Sequence, residues 1–500
     1  MCRTQTFEMT LKSKVANGLK WKAINLLGKQ LLSLVVFTTL ARQLDPSAFG
    51  LVGLVSVYLV FVGMFVDQGI GTALVQRADL ERKHLDTAFW CNVGSSIVVC
   101  LATIAFAVPI ASLMEEPKLA PLLRWSSIVL IIGALSTVHS AQFTRAMDFR
   151  QVTLRTLIGN AIGGVVGVCL ALAGFGVWAL IGQQIAGGMA GAIFLWSVSP
   201  YRPGLHFSVR HLRELFRVAS SVFISSFLWF FSFRLDQIII GRFAGAPVLG
   251  LYLLGSKLPE MAKLVTQEPM REVTLPALSR LQNDHGRMCQ AIYRAMELNA
   301  LVSFAVFVGI AAVASDIVPL IFGAKWAPAA GITALLSIYA LVNALQTFFH
   351  PALLASGGSG KFVLVNLCQS VGVLLACTIG IRYGIEHLVY GLILNAFIVA
   401  IPTLLFLKRR IDLSVLLYCK PCVVPALASL FMVGVIQLTS LAGPSVTNPL
   451  TRVILHVAVG AIAYIGFVFL FQKRSLLVLV ETIGLILKRS QGALNPPPLV

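Results

Sequence analysis

Fourteen apolar stretches, each about twenty residues long, run through this 500-residue chain and fix the solvent it folds in. A bilayer core about 30 Å thick is crossed by an α-helix of about that length. The stretches cover 21–41, 50–74, 88–113, 122–141, 155–173, 175–196, 216–240, 249–267, 296–322, 328–353, 362–381, 386–407, 417–440 and 450–472. Each is far longer than a strand and lacks period-two alternation, so helices are expected and barrel strands are not. Charged residues make up 12% of the chain, against about 25% in soluble proteins. The fold class expected is all-α: a polytopic membrane protein of about 14 transmembrane helices, with no soluble domain large enough to act separately. The first 20 residues are polar and mildly basic and show no cleavable signal peptide.

The net charge of +19 invites a nucleic-acid reading, but its distribution excludes one. With the N-terminus placed in the cytoplasm, 28 of the 39 Lys and Arg residues fall on the side of the termini and 7 on the other. That is the positive-inside pattern, with both termini cytoplasmic. The basic excess sets topology and draws the inner face toward anionic headgroups. The nine cysteines are odd in number and scattered, which argues against a disulfide framework. Cys419 and Cys422 have redox or zinc-like spacing, but no second pair accompanies them.

An offset of 200 residues lays LARQLDPSAFGLVGLVS (40–56) on IGRFAGAPVLGLYLLGS (240–256). Arg42 meets Arg242, Gly50 meets Gly250, Leu51 meets Leu251, Leu54 meets Leu254 and Ser56 meets Ser256. Six spans separate the copies. An even number preserves orientation, so the repeat is parallel, as in two-lobed transporters whose substrate site lies between the lobes. The domains expected are a six-helix lobe over 1–200, a second over 201–410, two further helices over 411–472 and an amphipathic cytoplasmic tail over 473–500. The tail segment KRSLLVLVETIGLILKR (473–489) reads as an interfacial helix, and NPPP (495–498) as disordered.

Ions inside the spans are the candidate site. With the residues near span ends assigned to the flanking loops, the basic ones are Lys29, Arg234, Lys257 and Lys263, and the acidic ones are Asp67, Asp236 and Glu260. Each costs a few kcal/mol facing lipid, so a wet cavity or a partner is expected. In the eighth span Ser256, Lys257, Glu260, Lys263 and Gln267 recur every three or four residues and form one polar stripe. That stripe either lines a cavity or is self-compensated through Lys257–Glu260 and Glu260–Lys263 pairs. Arg234 and Asp236, two apart, point to different faces and need separate partners. With Arg42 and Arg242 at matching outer turns, the interior is read as net positive and suited to phosphate anions. Asp67, Asp236 and Glu260 are candidates for ion coupling or charge pairing.

Catalytic signatures are missing from the sequence. GGSGK (357–361) fails the phosphate-loop pattern, because Ala355 and Phe362 stand where Gly and Ser or Thr are needed. The eight histidines form no HxxxH or HExxH pair, and no GxSxG occurs. Outer loops are short and hold few carboxylates, so an enzyme is not expected. No cofactor or metal is expected either.

Several segments together resemble the polysaccharide transporter family of the multidrug/oligosaccharidyl-lipid/polysaccharide exporter superfamily, and within it the Wzx-type oligosaccharide flippases. They are LARQLDPSAFGLVGLVSVYLVFVGMFVDQGIGTALVQR (40–77), HLDTAFWCNV (84–93), QFTRAMDFRQVTL (142–154), GVWALIGQQIAGGMAGAIFLW (176–196) and IFGAKWAPAAGITALLSIYALVNALQTFFHPALLASGGSGKF (321–362). The resemblance implies a two-lobed, V-shaped fold with a central cationic cavity. It implies movement of a polyprenyl-pyrophosphate-linked oligosaccharide across the bacterial inner membrane, for exopolysaccharide, capsule or O-antigen assembly. It implies cations on the lumen side of the first, second, seventh and eighth helices, and Lys29, Arg234, Lys257 and Lys263 are the residues here in those helices. Partners expected are the lipid-linked sugar, the bilayer and other polysaccharide-assembly membrane proteins. The rivals are a multidrug exporter of the same superfamily, a membrane polysaccharide polymerase or ligase, and a non-transporting scaffold. The basic excess disfavours the first, and the short outer loops disfavour the second.

Overall fold

The computed structural model describes residue 21 and residues 28–77, 79–442 and 448–492. The basic tail before residue 21 and the NPPP segment lie outside the described residues. Among the described residues the chain is helical throughout and contains no strand. In hydrocarbon each backbone N–H and C=O must be satisfied within its own segment, which a helix achieves. The chain divides into two compact units, residues 1–253 and 254–500.

The first unit holds α1 (28–43), α2 (Pro46–Asp67), α3 (Ile70–Gln76), α4 (Arg82–Leu113), α5 (Leu119–Ser126), α6 (Ile128–Arg145), α7 (Phe149–Leu172), α8 (Val177–Val198), α9 (Val209–Phe243) and the first turns of α10 (Gly245–Thr266). The second holds the rest of α10, then α11 (Glu268–Arg280), α12 (His285–Phe322), α13 (Ala329–Ala344), α14 (Phe349–Ala355), α15 (Ser359–Gly380), α16 (Ile385–Ile411), α17 (Val415–Ala442) and α18 (Pro449–Gly492).

Eleven helical segments among the described residues are long and apolar enough to cross a bilayer. Two of them are jointed, α5 with α6 and α13 with α14. The remaining three expected spans differ for separate reasons. The seventh is a pair, Val209–Arg217 and Val222–Phe231, bent by 54°. The eighth, α10, has 22 residues, but Lys257, Glu260 and Lys263 make it too polar for the same class. The first begins outside the described residues. The polytopic all-α class stands on the eleven.

The two units repeat one plan. In the first, α2 breaks at Gln68 and Gly69, both left-handed with φ of 48° and 78°. The short α3 then packs on α6, α7 pairs with α8, and α8 packs on α6. In the second, α10 breaks at Gln267, α11 packs on α14, α15 pairs with α16, and α16 packs on α13. The cores correspond too. Ile70, Leu74, Phe89, Val138, Tyr201 and Leu215 close the first, and Leu278, Met288, Ile292, Phe348, Phe349 and Ile411 the second. α17 and α18 pack on α12 through Leu301, Met432, Ile436 and Tyr464. α18 leaves helical geometry at Gln472 (φ −143°), whose side-chain amide donates to Glu297 at 3.1 Å.

Lipid offers helices no hydrophobic reward for pairing, so close backbone approach and polar contacts decide the packing. α7 and α8 show this. A Cβ on Gly159 would lie 2.8 Å from the Gly187 carbonyl oxygen, and one on Gly187 equally close to Gly159's. Gly163 and Gly167 continue the stripe against Gln183.

Candidate substrate cavity and its charged residues

The break in α2 and the bend in α9 leave a cavity of about 630 Å³ in the first unit. From α2 and its break it is lined by Val60, Gly63, Met64, Asp67 and Gly69. From α9 come Val222, Phe223, Ser225, Ser226 and Trp229. Gly69 has to be glycine, because its φ is positive and a Cβ would sit 2.7 Å from the Ala219 carbonyl oxygen. Asp67 lies against the backbone N–H groups of Gly69 and Gly71, where α3 begins and an anion is favoured. Trp229 is 50% exposed and so presents its ring to the cavity. Phe61 packs against Phe65, Phe227 and Phe230, with centroids 5.2–6.3 Å away. Next to it is a smaller apolar pocket of about 210 Å³ that includes Leu54, Tyr58, Ile110 and Phe231.

At the far end of α2 the helices cross reciprocally. A Cβ on Gly50 would stand 1.7 Å from the Ala246 carbonyl oxygen, and one on Gly250 would stand 1.9 Å from that of Pro46. Residues 46 and 246, like 50 and 250, are exchanged by the 200-residue offset, so the sequence repeat has a structural counterpart. The α4–α5 turn braces this end. Glu115 pairs with Arg242 at 2.7 Å, and Glu116 accepts the Ala246 N–H at 3.0 Å.

The ions named from the sequence are distributed as follows. Lys29 and Arg42 are exposed on α1. Arg242 is held by Glu115 and also lies over the Phe243 ring, 5.4 Å from its centroid. Arg234 and Asp236 make their side-chain hydrogen bonds to different residues, while the Arg234 charge also acts on Asp236. Arg234 donates to Gln237 at 3.4 Å, and its buried Nε has no hydrogen-bond partner. Asp236 accepts from the Tyr252 hydroxyl at 2.6 Å, while its other oxygen is buried without a donor. On α10, Lys257 and Glu260 each engage a partner. The Lys263 charge is felt by Glu260 and Glu268 as well as by Arg271. Asp67 is the ion from this set that lines the 630 Å³ cavity.

Sequence reading missed a second polar pocket, of about 380 Å³, between α7 and α8. Arg155, Thr156, Asn160, Gln183 and Gln184 line it, with Gly159, Gly163, Gly187, Gly188 and Gly191 as its walls. The sequence reading sets Arg155 at the boundary that opens the fifth span, 155–173, and leaves it out of the intramembrane ions. It lies two turns inside α7, and its guanidinium donates to Ser140 on α6 at 2.9 Å. The run GQQIAGG held the signal, since two adjacent amides inside an apolar span call for polar surroundings.

A third cluster ties the starts of α4 and α9. Glu214 takes Arg77 at 2.5 Å, His84 at 3.2 Å and Arg210 at 3.2 Å. The hydrogen bond from His84, followed by those from Arg210 and Arg77, holds the Glu214 carboxyl down at about 2. Glu81, His84 and His211 bring ligand atoms within 4.8 Å of one another, a donor set of the kind zinc uses. Both His84 nitrogens are engaged, Nδ1 by the Glu81 N–H and Nε2 by Glu214, whereas the buried Nδ1 of His211 has no hydrogen-bond partner. Beyond α8, burial and the hydrogen bond to Asp86 push the Tyr201 phenol upward.

A family model described as "Polysaccharide biosynthesis protein" matches residues 39–331, more than half of the chain. The chain belongs to this family. Similar proteins include the succinoglycan biosynthesis transport protein ExoT of Rhizobium meliloti (strain 1021), 26% identical over 467 residues, 93% of this chain and 94% of that protein. The lipopolysaccharide biosynthesis protein WzxC of Escherichia coli (strain K12) is 26% identical over 81% of this chain and 85% of its own. Among solved structures, the lipid II flippase MurJ in an inward closed conformation superposes with a TM-score of 0.71 at 16% identity, covering 90% of this chain and 98% of its own. An inward-facing multidrug resistance MATE transporter of the MOP superfamily gives 0.60 at 16% identity, over 78% and 98%. At that identity the two structures bear on the fold alone, which this chain shares with them.

Proposed function

We infer that the protein is a flippase that moves a polyprenyl-pyrophosphate-linked oligosaccharide across the bacterial inner membrane for exopolysaccharide, capsule or O-antigen biosynthesis. The observation that carries this is end-to-end similarity to ExoT, a named transport protein of polysaccharide biosynthesis, in a chain whose apolar helices enclose polar cavities. The sugar needs a hydrated path while its lipid tail stays in hydrocarbon. Asp67, Ser225, Ser226 and Trp229 offer such a surface in the cavity between α2 and α9. The diphosphate is assigned to the cations Arg234, Lys257, Lys263 and Lys29, with Arg234 foremost because its buried Nε has no partner in the protein. Arg42 and Arg242 would act at the outer end, and Asp67, Asp236 or Glu260 would take the coupling ion. Both termini lie in the cytoplasm on the positive-inside pattern. No bond is made or broken, so the protein is a transporter and not an enzyme.

The decisive experiment is deletion of the gene followed by extraction of lipid-linked intermediates. Undecaprenyl-linked repeat units trapped on the inner leaflet, and released by the wild-type gene but not by Arg234→Ala, are the expected result. Normal polysaccharide export in the deletion strain refutes the reading.

One observation favours a multidrug exporter as the second reading. Asp67 is the charged residue that lines the 630 Å³ cavity, and aromatic rings stand close by, which suits an organic cation. Under that reading the deletion strain becomes sensitive to cationic dyes and its polysaccharide is unchanged.

A further inference from the structure

We propose that the pocket between α7 and α8 is a carbohydrate subsite, in which Asn160, Gln183, Gln184 and Arg155 hydrogen-bond the hydroxyls of the transported sugar; this deepens the flippase reading and rests on it.

The pocket is a built feature of the helix pair. A Cβ on Gly159 would lie 2.8 Å from the Gly187 carbonyl oxygen, and one on Gly163 2.6 Å from that of Gln183. Glycine at these positions lets the helices approach, and at Gly187, Gly188 and Gly191 it leaves a floor without side chains. The side chains that do line the space are polar, in a helix pair whose outer surface includes Ile162, Val165, Leu172, Met189 and Ile193. Polar groups at membrane depth are costly against lipid, so this lining has to face water or a ligand. Arg155 to Gly163 spans about 12 Å along α7 at 1.5 Å per residue. The volume of about 380 Å³ falls in the range of small-molecule sites.

The donor set selects the ligand. Each carboxamide offers two N–H donors and a carbonyl acceptor, and a sugar hydroxyl both donates and accepts. Neighbouring hydroxyls on a pyranose ring therefore match neighbouring amides such as Gln183 and Gln184. Among the described residues, none of Asn160, Gln183 and Gln184 spends its side chain on a hydrogen bond within the protein. Arg155 is anchored by Ser140 and keeps other N–H groups to donate. A metal ion is disfavoured, since no carboxylate, His or Cys lines the space. A diphosphate is disfavoured because the one charge in the lining, the Arg155 guanidinium, would leave most of its negative charge unmatched.

The test uses purified full-length protein in nanodiscs and three probes: the host's lipid-linked oligosaccharide, the same oligosaccharide freed by mild acid, and undecaprenyl pyrophosphate without sugar. Asn160→Leu and Gln184→Leu should each weaken binding of both sugar-bearing probes about tenfold, the worth of one or two lost hydrogen bonds. Undecaprenyl pyrophosphate should bind as in the wild type, which also shows that the variants are folded. Unchanged affinity for the sugar-bearing probes overturns the subsite and leaves the flippase reading intact. Equal loss of all three probes overturns the sugar assignment, making the pocket a diphosphate site or a structural element. If wild-type protein ignores the lipid-linked probe yet binds the free sugar through Asn160 and Gln184, the subsite stands and the flippase reading fails.

Discussion

Placing a methyl group at the reciprocal α2–α10 crossing tests the structural counterpart of the sequence repeat. A Cβ at position 50 would lie 1.7 Å from the Ala246 carbonyl oxygen, whereas ordinary contact begins near 3.4 Å. The two helix starts must therefore separate by the difference, about 1.7 Å, because the obstructing atom is backbone and cannot rotate away. Overpacking of this kind costs about 1–3 kcal/mol. Alanine recovers up to about 1 kcal/mol of helix propensity over glycine, so the net loss for Gly50→Ala is about 1–2 kcal/mol. Gly250→Ala should cost nearly the same, since its Cβ would stand 1.9 Å from the Pro46 carbonyl oxygen.

The two clashes widen one crossing, so they are not independent. Once the first methyl has separated the helices, much of the second clash is already relieved. The double variant should lose clearly less than the sum of the singles, with a coupling of about 0.5–2 kcal/mol. Thermal unfolding followed by tryptophan fluorescence in one detergent, on the wild type, both singles and the double, reads this directly. Singles that melt with the wild type, or a double whose loss equals the sum, would refute the reciprocal contact. A control at Gly466, where a Cβ meets nothing within 4 Å, should leave the midpoint unchanged or raise it slightly through helix propensity, and should not lower it.

Three further outcomes follow from the same geometry. Gly69→Ala imposes a left-handed φ on a residue with a Cβ and drives that Cβ toward the Ala219 carbonyl oxygen, so it should cost about 2 kcal/mol or more in the same melting assay. Tyr252→Phe removes the 2.6 Å donor to Asp236 and should cost about 1.5–3 kcal/mol, while adding it to Asp236→Asn should cost much less. The Glu214 carboxyl is depressed from 4.5 to about 2, so its contribution is complete above pH 4.5 and is lost as pH falls toward 2. Glu214→Gln should flatten the midpoint-against-pH curve within that window and leave the slope between pH 6 and 8 as it is.

Helix class and most span positions were legible because lipid imposes one strong rule, about twenty apolar residues per crossing. The α2 and α10 starts were legible for a second reason. Gly50 and Gly250 recur because only glycine fits where each meets the other copy's backbone, so a packing constraint left an identity in the sequence. The neutral polar site was not legible. Arg155 fell within a turn or two of a span boundary, and hydropathy places such boundaries loosely. Asn160, Gln183 and Gln184 carry no charge, so a search for intramembrane ions passed over them. Partner choice was equally hidden. That Glu115 would take Arg242, or Tyr252 would take Asp236, depends on helix rotation, which an apolar run long enough to span leaves open.

These pairings change what the charge surplus means. A net charge of +19 reads as a positive interior only if the cations inside are unopposed. Arg242 is neutralised by Glu115, and Lys263 is offset by Glu260 and Glu268. Elsewhere Arg452 is matched by Asp316, and Arg77 by Glu214. Much of the remaining surplus lies in loops and tails, where it orients the chain in the bilayer. Inside, the polar lining is mainly hydroxyl and amide, with Asp67 in one cavity and Arg155 in the other. Neutral donors and acceptors have short reach and strict direction, whereas a bare charge attracts any counter-ion over several ångströms. On the flippase reading, the proposed diphosphate would need only a few cations such as Arg234, and discrimination between one repeat unit and another would fall to the amides and hydroxyls.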